Sequence, residues 1–243
     1  MISILSKILE MLSFKGAFTA MLTWKKFSLA AYKLLRRAAS SGVNPRTIVD
    51  VGANTGQFSV AASRIFPQAS IYPFEPDPDV AEKLKRNLPK THLNNLRVLA
   101  LGDFCGNTTF NINTDSQVNS ILDLGTSRKE AFPDSIVRDK ITVAIATLDS
   151  IFENVDLTPP ILLKIDVQGF EDKVLLGGAS FLKTVQWIIV EVSFTSLYVG
   201  EARFTDIIDL LKKKGFSFVR PLNVHYSPKT GEIIEMDALF EKV

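Results

Sequence analysis

Apolar and polar positions along this chain follow two rhythms. Short β-branched runs at 47–51, 70–74, 97–101, 161–165 and 187–192 predict strands, while helical spacing covers 58–65, 79–88 and a region beginning at 171–177. Pro67 and Pro89 stop the first two helices, because proline cannot supply the amide a helix interior needs. Strands separated by helices require crossover connections, which places them in a mostly parallel sheet. Further on, 204–214 reads as an amphipathic helix closed by Gly215, followed by strands at 216–219 and 233–240 around a turn containing Gly231.

Two stretches depart from this alternation. Strands predicted at 108–113 and 141–147 flank the polar segment 114–140, which is too long for an ordinary connection and is expected to hold structure of its own or to cover a site. At the start, Ile2, Ile4, Leu5, Ile8, Leu9, Met11 and Leu12 give a helical pattern over 1–14, and a second runs over 24–39. The turn formers of 40–45 then separate both from the first strand. The reading is a doubly wound, mostly parallel α/β domain over 46–243 with a mid-chain insertion, preceded by an N-terminal helical extension over 1–45.

Composition removes several function classes. With 46% hydrophobic residues and a net charge of +2, the chain has material for a core and no bulk attraction to polyanions. Its basic residues form no stripe, so nucleic acid is not an expected partner. One cysteine, Cys105, and two histidines, His92 and His225, leave little material for a cysteine or histidine metal centre, and no metal is expected. Lys7, Glu10 and Lys15 interrupt the N-terminal apolar stripe, and no span of about 20 apolar residues exists to cross a membrane. A convincing signal-cleavage site is also missing, so a cytoplasmic location is expected. Residues 1–40 are expected to pack on the domain, to join subunits of a homo-oligomer, or to make weak peripheral membrane contact.

The most informative segment is Val49-Asp50-Val51-Gly52-Ala53-Asn54-Thr55-Gly56. Gly52 and Gly56 lie between a strand and a helix, where a missing side chain lets a ligand approach the backbone. Asn54 stands where the dinucleotide fingerprint has glycine, and no Gly-Lys-Ser/Thr follows to make a triphosphate loop. Glu75, at the end of the next strand, suits the ribose hydroxyls of a nicotinamide dinucleotide or of S-adenosylmethionine. Asp50 would repel a pyrophosphate and suits a cationic sulfonium ligand with an amino group, although it also has the means to tie down the turn.

These motifs, with Phe74-Glu75-Pro76, Ala100-Leu101-Gly102-Asp103, the segment from Leu163 through Asp166 and Gly169 to Glu171, and Asp237-Ala238-Leu239-Phe240, resemble the FkbM family of S-adenosylmethionine-dependent methyltransferases over about 46–240. The resemblance implies a class I methyltransferase, Rossmann-like fold with S-adenosylmethionine as cofactor. It implies a cofactor site of Asp50, Gly52, Asn54, Gly56, Glu75, Leu101 and Asp103, with Asp50 at the methionine amino end, Glu75 at the ribose and 100–103 near adenine.

Methyl transfer to oxygen needs an aligned hydroxyl and a base for its proton. Asp166 is the first candidate for that base or for orienting the acceptor, Glu191 the second, and Glu171 is expected to brace the site or cap the helix after it. Lys164 would offset these carboxylates. Gln168 occupies a position where the resembling family often has glutamate, keeping hydrogen-bonding capacity without charge. A variant in which Asp166 and Glu191 hold magnesium or calcium lacks diagnostic ligand spacing. His225 is expected in a surface or capping role, with His92 and Cys105 structural.

Segment 114–140 is the expected lid, where Asn119, Ser120, Arg128 and Lys129 would recognise a hydroxyl-rich or anionic acceptor. Phe194 and Tyr198 fit an acceptor pocket and a core equally well. The expected function is O-methylation of a sugar, glycan or secondary-metabolite hydroxyl, with a small-molecule or saccharide partner. The alternatives are an NAD-dependent oxidoreductase and a non-enzymatic cofactor-binding assembly protein.

Overall fold

A computed structural model describes residue 14 and residues 16–132, 134–227 and 229–243. The first elements are α1 (Ala17–Thr23), α2 (Leu29–Ser40), β1 (Thr47–Val51), α3 (Gln57–Ile65), β2 (Ser70–Phe74) and α4 (Pro78–Asn87). The middle of the chain holds β3 (Ala100–Leu101), β4 (Gly106–Asn113), α5 (Thr126–Ala131), β5 (Val137–Ala146) and α6 (Leu148–Phe152). The last part holds β6 (Ile161–Ile165), α7 (Glu171–Leu176), β7 (Val185–Ser193), α8 (Phe204–Lys213), β8 (Phe216–Tyr226) and β9 (Ile233–Lys242). The helical pattern expected over 1–14 lies outside the described residues except at Phe14.

β1 and β6 are buried along their whole length, as strands covered on both faces must be. They sit at the centre of a six-stranded sheet ordered β2-β1-β6-β7-β9-β8, in which β2, β1, β6 and β7 are parallel while β9 runs antiparallel to its neighbours. Side-chain alternation divides the core in two. Val49, Val51, Leu163 and Ile165 face one layer with Leu148 of α6, Leu175 of α7 and Leu211 of α8. Ile48 and Leu162 face the other with Phe58 and Ala62 of α3 and Leu34, Leu35 and Ala38 of α2. The described part of the N-terminal extension therefore shares the core of the domain. α2 begins at Leu29 because the Ser28 side chain accepts from the Ala31 amide.

Several strands differ in extent from the expectation, most of all β3, β5, which starts at Val137 instead of 141, and β8. Within 97–101, Arg97 bridges Phe74 at the β2 edge, and the chain then crosses to pair Ala100 and Leu101 with β5. The result is a separate three-stranded sheet ordered β3-β5-β4. At the other end, β8 continues from 216–219 to Tyr226 despite Pro221, which an edge strand tolerates because its outer amides need no partner. The segment 114–140 carries a 3-10 turn at Ser116–Val118, then α5, then the first residues of β5. Among the described residues no helix is long and apolar enough to cross a membrane.

Candidate active site

The carboxyl ends of β1, β2, β6 and β7 open onto a cavity of about 510 Å³. This is where parallel sheets place their ligands, because the strand-to-helix turns leave a crevice there. Gly52, with φ 79°, makes the turn after β1. A Cβ at Gly52 would sit 1.9 Å from the backbone oxygen of Asp166, so the closeness of the β1 and β6 ends depends on that missing side chain. Asn54 follows with φ 47°, its amide donating to Glu75 Oε2 at 2.9 Å.

Glu75 lines the cavity and is almost wholly buried. Its other oxygen accepts from the Asp77 amide at 3.0 Å, and each oxygen keeps a lone pair for a further donor. Burial pushes its pKa up to about 7 against the pull of these two amides.

Of the residues expected at the cofactor, Gly52, Asn54, Glu75 and Leu101 line the cavity, whereas Asp50, Gly56 and Asp103 do not. Asp50 lies beneath the floor, where Ser59 Oγ donates to it at 2.6 Å and Lys164 Nζ stands 3.4 Å away. It acts on the turn through those two partners, and burial raises its pKa while they oppose the rise. Gly56 packs against Leu84 of α4, and Asp103 is exposed.

Lys164 ties the floor together. Its ammonium donates to the Gly52 carbonyl at 3.1 Å and lies 3.3 Å from Asp166 Oδ2 as well as beside Asp50. Burial works against its charge, but the two carboxylates outweigh that and raise its pKa. Burial likewise opposes the charge of Asp166, yet Lys164 and hydrogen bonding hold that carboxyl below its ordinary value.

Gln168, at φ 59°, places its amide between the other two strand ends. Nε2 donates to Asp166 Oδ1 at 2.9 Å and to Glu191 Oε2 at 2.6 Å, while Oε1 accepts from Tyr198 Oη at 2.7 Å. Burial, with Asp166 next in size, pushes Glu191 well above the usual carboxylate range. The two neighbouring carboxyls are thus driven apart, Asp166 below its ordinary value and Glu191 above it. Glu171 stands outside the cavity wall, and its Oε1 accepts from the amides of Val167 at 2.9 Å and Gly169 at 3.2 Å. It braces the turn that carries Gln168.

The cavity also gathers residues that carried little weight in the sequence. Asp237 and Glu235 of β9 line it, facing Glu191 and Ser193 across the β7–β9 register. His225 of β8 lines it too, with Nε2 3.8 Å from Asp237 Oδ2. The nearby Asp237 carboxylate raises the pKa of His225, against the effect of burial. From 114–140 come Asn119 and Arg128, while Ser120 Oγ donates to the Gln168 carbonyl at 2.6 Å. Lys129, His92, Cys105, Phe194 and Tyr198 do not line the cavity. Tyr198 touches it through Gln168, and Phe194 stacks on Phe204. Among the described residues, no three His, Cys, Asp or Glu are grouped to hold a metal ion.

The sequence model of the methyltransferase FkbM domain matches residues 50–218, which takes in the end of β1, all of β2, β6 and β7, and the whole insertion. The chain belongs to the FkbM methyltransferase family. The protein is therefore a methyltransferase using S-adenosylmethionine, and the nicotinamide reading of Glu75 falls away. The cavity fits that donor. The Gly52 turn leaves backbone room, Glu75 offers buried acceptor sites for ribose hydroxyls, and Phe74 and Leu101 supply apolar wall.

Among FkbM relatives, the 2-O-methyltransferase NoeI of Sinorhizobium fredii is 28% identical over 172 residues, 68% of this chain and 70% of that protein. The hexuronic acid methyltransferase AglP of Haloferax volcanii is 26% identical over 144 residues, 59% of this chain and 54% of that protein. The crystal structure of an FkbM methyltransferase from Methylobacillus flagellatus is similar at 14% identity and a TM-score of 0.47, over 81% of this chain and 43% of that one.

Proposed function

We propose that this FkbM methyltransferase methylates a hydroxyl of a sugar or glycan, with Asp166 taking the hydroxyl proton. The observation that carries the reading is the Gln168 amide, which donates to Asp166 and Glu191 together at the cavity wall. The activities for which NoeI and AglP are named, 2-O-methyl transfer and hexuronic acid methylation, support an oxygen acceptor on a saccharide. The polar lining from Asn119, Asn223, His225, Glu235 and Asp237 offers a hydroxyl-rich ligand both donors and acceptors.

Bound S-adenosylmethionine supplies a methyl group on a cationic sulfur. An acceptor hydroxyl that took up that methyl, with S-adenosylhomocysteine as the leaving group, would become strongly acidic as its oxygen gained positive charge. Even a carboxylate of low pKa then accepts the proton, so Asp166 need not be a strong base beforehand. Lys164 keeps Asp166 ionised. Burial and the Asp166 charge favour the protonated form of Glu191, whose O–H would orient an acceptor lone pair. Asp50, Ser59 and Glu171 are positioning residues, holding Lys164 and the Gln168 turn.

The test is transfer of isotopically labelled methyl from S-adenosylmethionine to a panel of neutral, acidic and amino glycosides. The expected product is an alkali-stable methyl ether on a sugar carbon. Label found only on amines, or only in an alkali-labile ester, contradicts the proposal.

A further inference from the structure

Arg128 is the one cationic side chain of the insertion that lines the cavity, among the described residues, and it is more than nine-tenths buried. Its Nε is buried with no hydrogen-bond partner, and the guanidinium has no salt bridge among the described residues. The group is instead flanked by aromatic rings, with Cζ 4.7 Å from the Phe132 centroid and 6.0 Å from that of Tyr198. Glu235, on the same cavity wall, feels its charge without pairing to it, and burial still pushes that carboxyl up to about 7.

A guanidinium does not lose its proton, and burying one unpaired is unfavourable. The usual compensation is a bidentate oxyanion, whose two oxygens match the planar fork. Elsewhere the cavity is acidic, with Asp166, Glu191, Glu235 and Asp237 on the β6, β7 and β9 side. Lys164 also lines the cavity, but its ammonium is engaged by Asp50, Asp166 and the Gly52 carbonyl, which leaves Arg128, among the described residues, as the lining Lys or Arg without an ion pair.

We infer that Arg128 is the binding site for a carboxylate or phosphate group carried by the acceptor, so that this methyltransferase prefers an anionic sugar to a neutral one. The inference rests on the acceptor reading above and narrows its substrate class. It also gives the insertion a role: α5 seats the acceptor's charge while Gln168 and Asp166 address its hydroxyl.

The test is calorimetry on the full chain saturated with S-adenosylhomocysteine, titrated separately with glucuronate, glucose 6-phosphate and glucose. At least one anionic sugar should bind about tenfold or more tightly than glucose, and which one does so separates carboxylate from phosphate. Arg128→Met should erase that preference, and Arg128→Lys should retain part of it. S-adenosylhomocysteine binding should be unchanged in both variants. The melting temperature of Arg128→Met should hold or rise, because an unpaired buried cation is removed; a merely structural guanidinium would give a fall instead.

Equal binding of all three sugars, binding of none, or a preference that survives Arg128→Met overturns the inference. Methyl ether formation on neutral glycosides without anionic preference would leave the proposed function standing while this inference fails. Arg128-dependent binding of an anionic sugar that is never methylated on oxygen would do the reverse.

Discussion

Lys164 and Asp50 are register partners in the β6–β1 ladder, and their charged ends meet 3.4 Å apart with both side chains out of solvent. Parallel pairing therefore dictates the contact as soon as the two strands align. Removing the cation alone would leave a buried carboxylate with only Ser59. Lys164→Met is expected to cost about 3–5 kcal/mol, and adding Asp50→Asn should recover much of the loss. Urea denaturation of the two variants checks this.

Gly52→Ala should be more damaging than a glycine-to-alanine change elsewhere. The left-handed φ of 79° alone carries strain of about 1–3 kcal/mol for a residue with a Cβ, and the added carbon would overlap the Asp166 carbonyl. The expected outcome is a lower melting temperature together with loss of S-adenosylhomocysteine binding.

Stability should fall as pH rises. Burial lifts the carboxyls of Glu75 and Glu235 to about 7 and that of Glu171 to about 8, from 4.5 in each case. The native state holds protons that the unfolded chain releases, so this stabilisation is complete below about 4.5 and is lost through about 7–8. His225, raised by the neighbouring Asp237 carboxylate, acts in the same direction above its ordinary 6.5. The ligand-free melting temperature should drop between about pH 5 and 8.5. Glu171→Gln should flatten the last part of that fall, since the amide oxygen still accepts from Val167 and Gly169.

Gln168→Glu replaces the donor between Asp166 and Glu191 with a third acidic group. At neutral pH turnover should fall by about 10²–10³-fold, as when a positioned donor is lost. In acid the new carboxyl regains a proton to donate, so the variant's pH–rate profile should shift to lower pH. An unshifted profile would mean that the amide bridge has no part in turnover.

Most of what positions the site is legible in the sequence. The glycine turn, Glu75, Asp166 and Glu191 all end strong apolar runs, and strand ends in a parallel sheet converge by geometry. What stayed hidden depended on long-range pairing. Glu235 and Asp237 alternate with apolar residues as if one face of their strand met solvent, and only the antiparallel β7–β9 register turns that face into the cavity. His225 was obscured by Pro221, which truncated the apparent strand well before Tyr226. Asp50 reads first as a cofactor contact and only second as a turn anchor, yet its side chain points away from the cavity toward α3 and Lys164, in the geometry of an anchor. Arg128 was one of several polar residues in the insertion until burial set it apart from exposed Lys129.

The central claim is that one cavity divides into a donor side built on Gly52 and Glu75 and an acceptor side built on Asp166. The most direct test is to measure, in parallel, S-adenosylhomocysteine affinity by calorimetry and kcat for methyl transfer in wild type, Glu75→Ala and Asp166→Asn. Glu75→Ala should lose donor affinity by about tenfold or more. Asp166→Asn should keep donor affinity within about twofold while kcat falls by about 10²–10⁴. Wild-type turnover in Asp166→Asn, or full donor affinity in Glu75→Ala, would contradict the account.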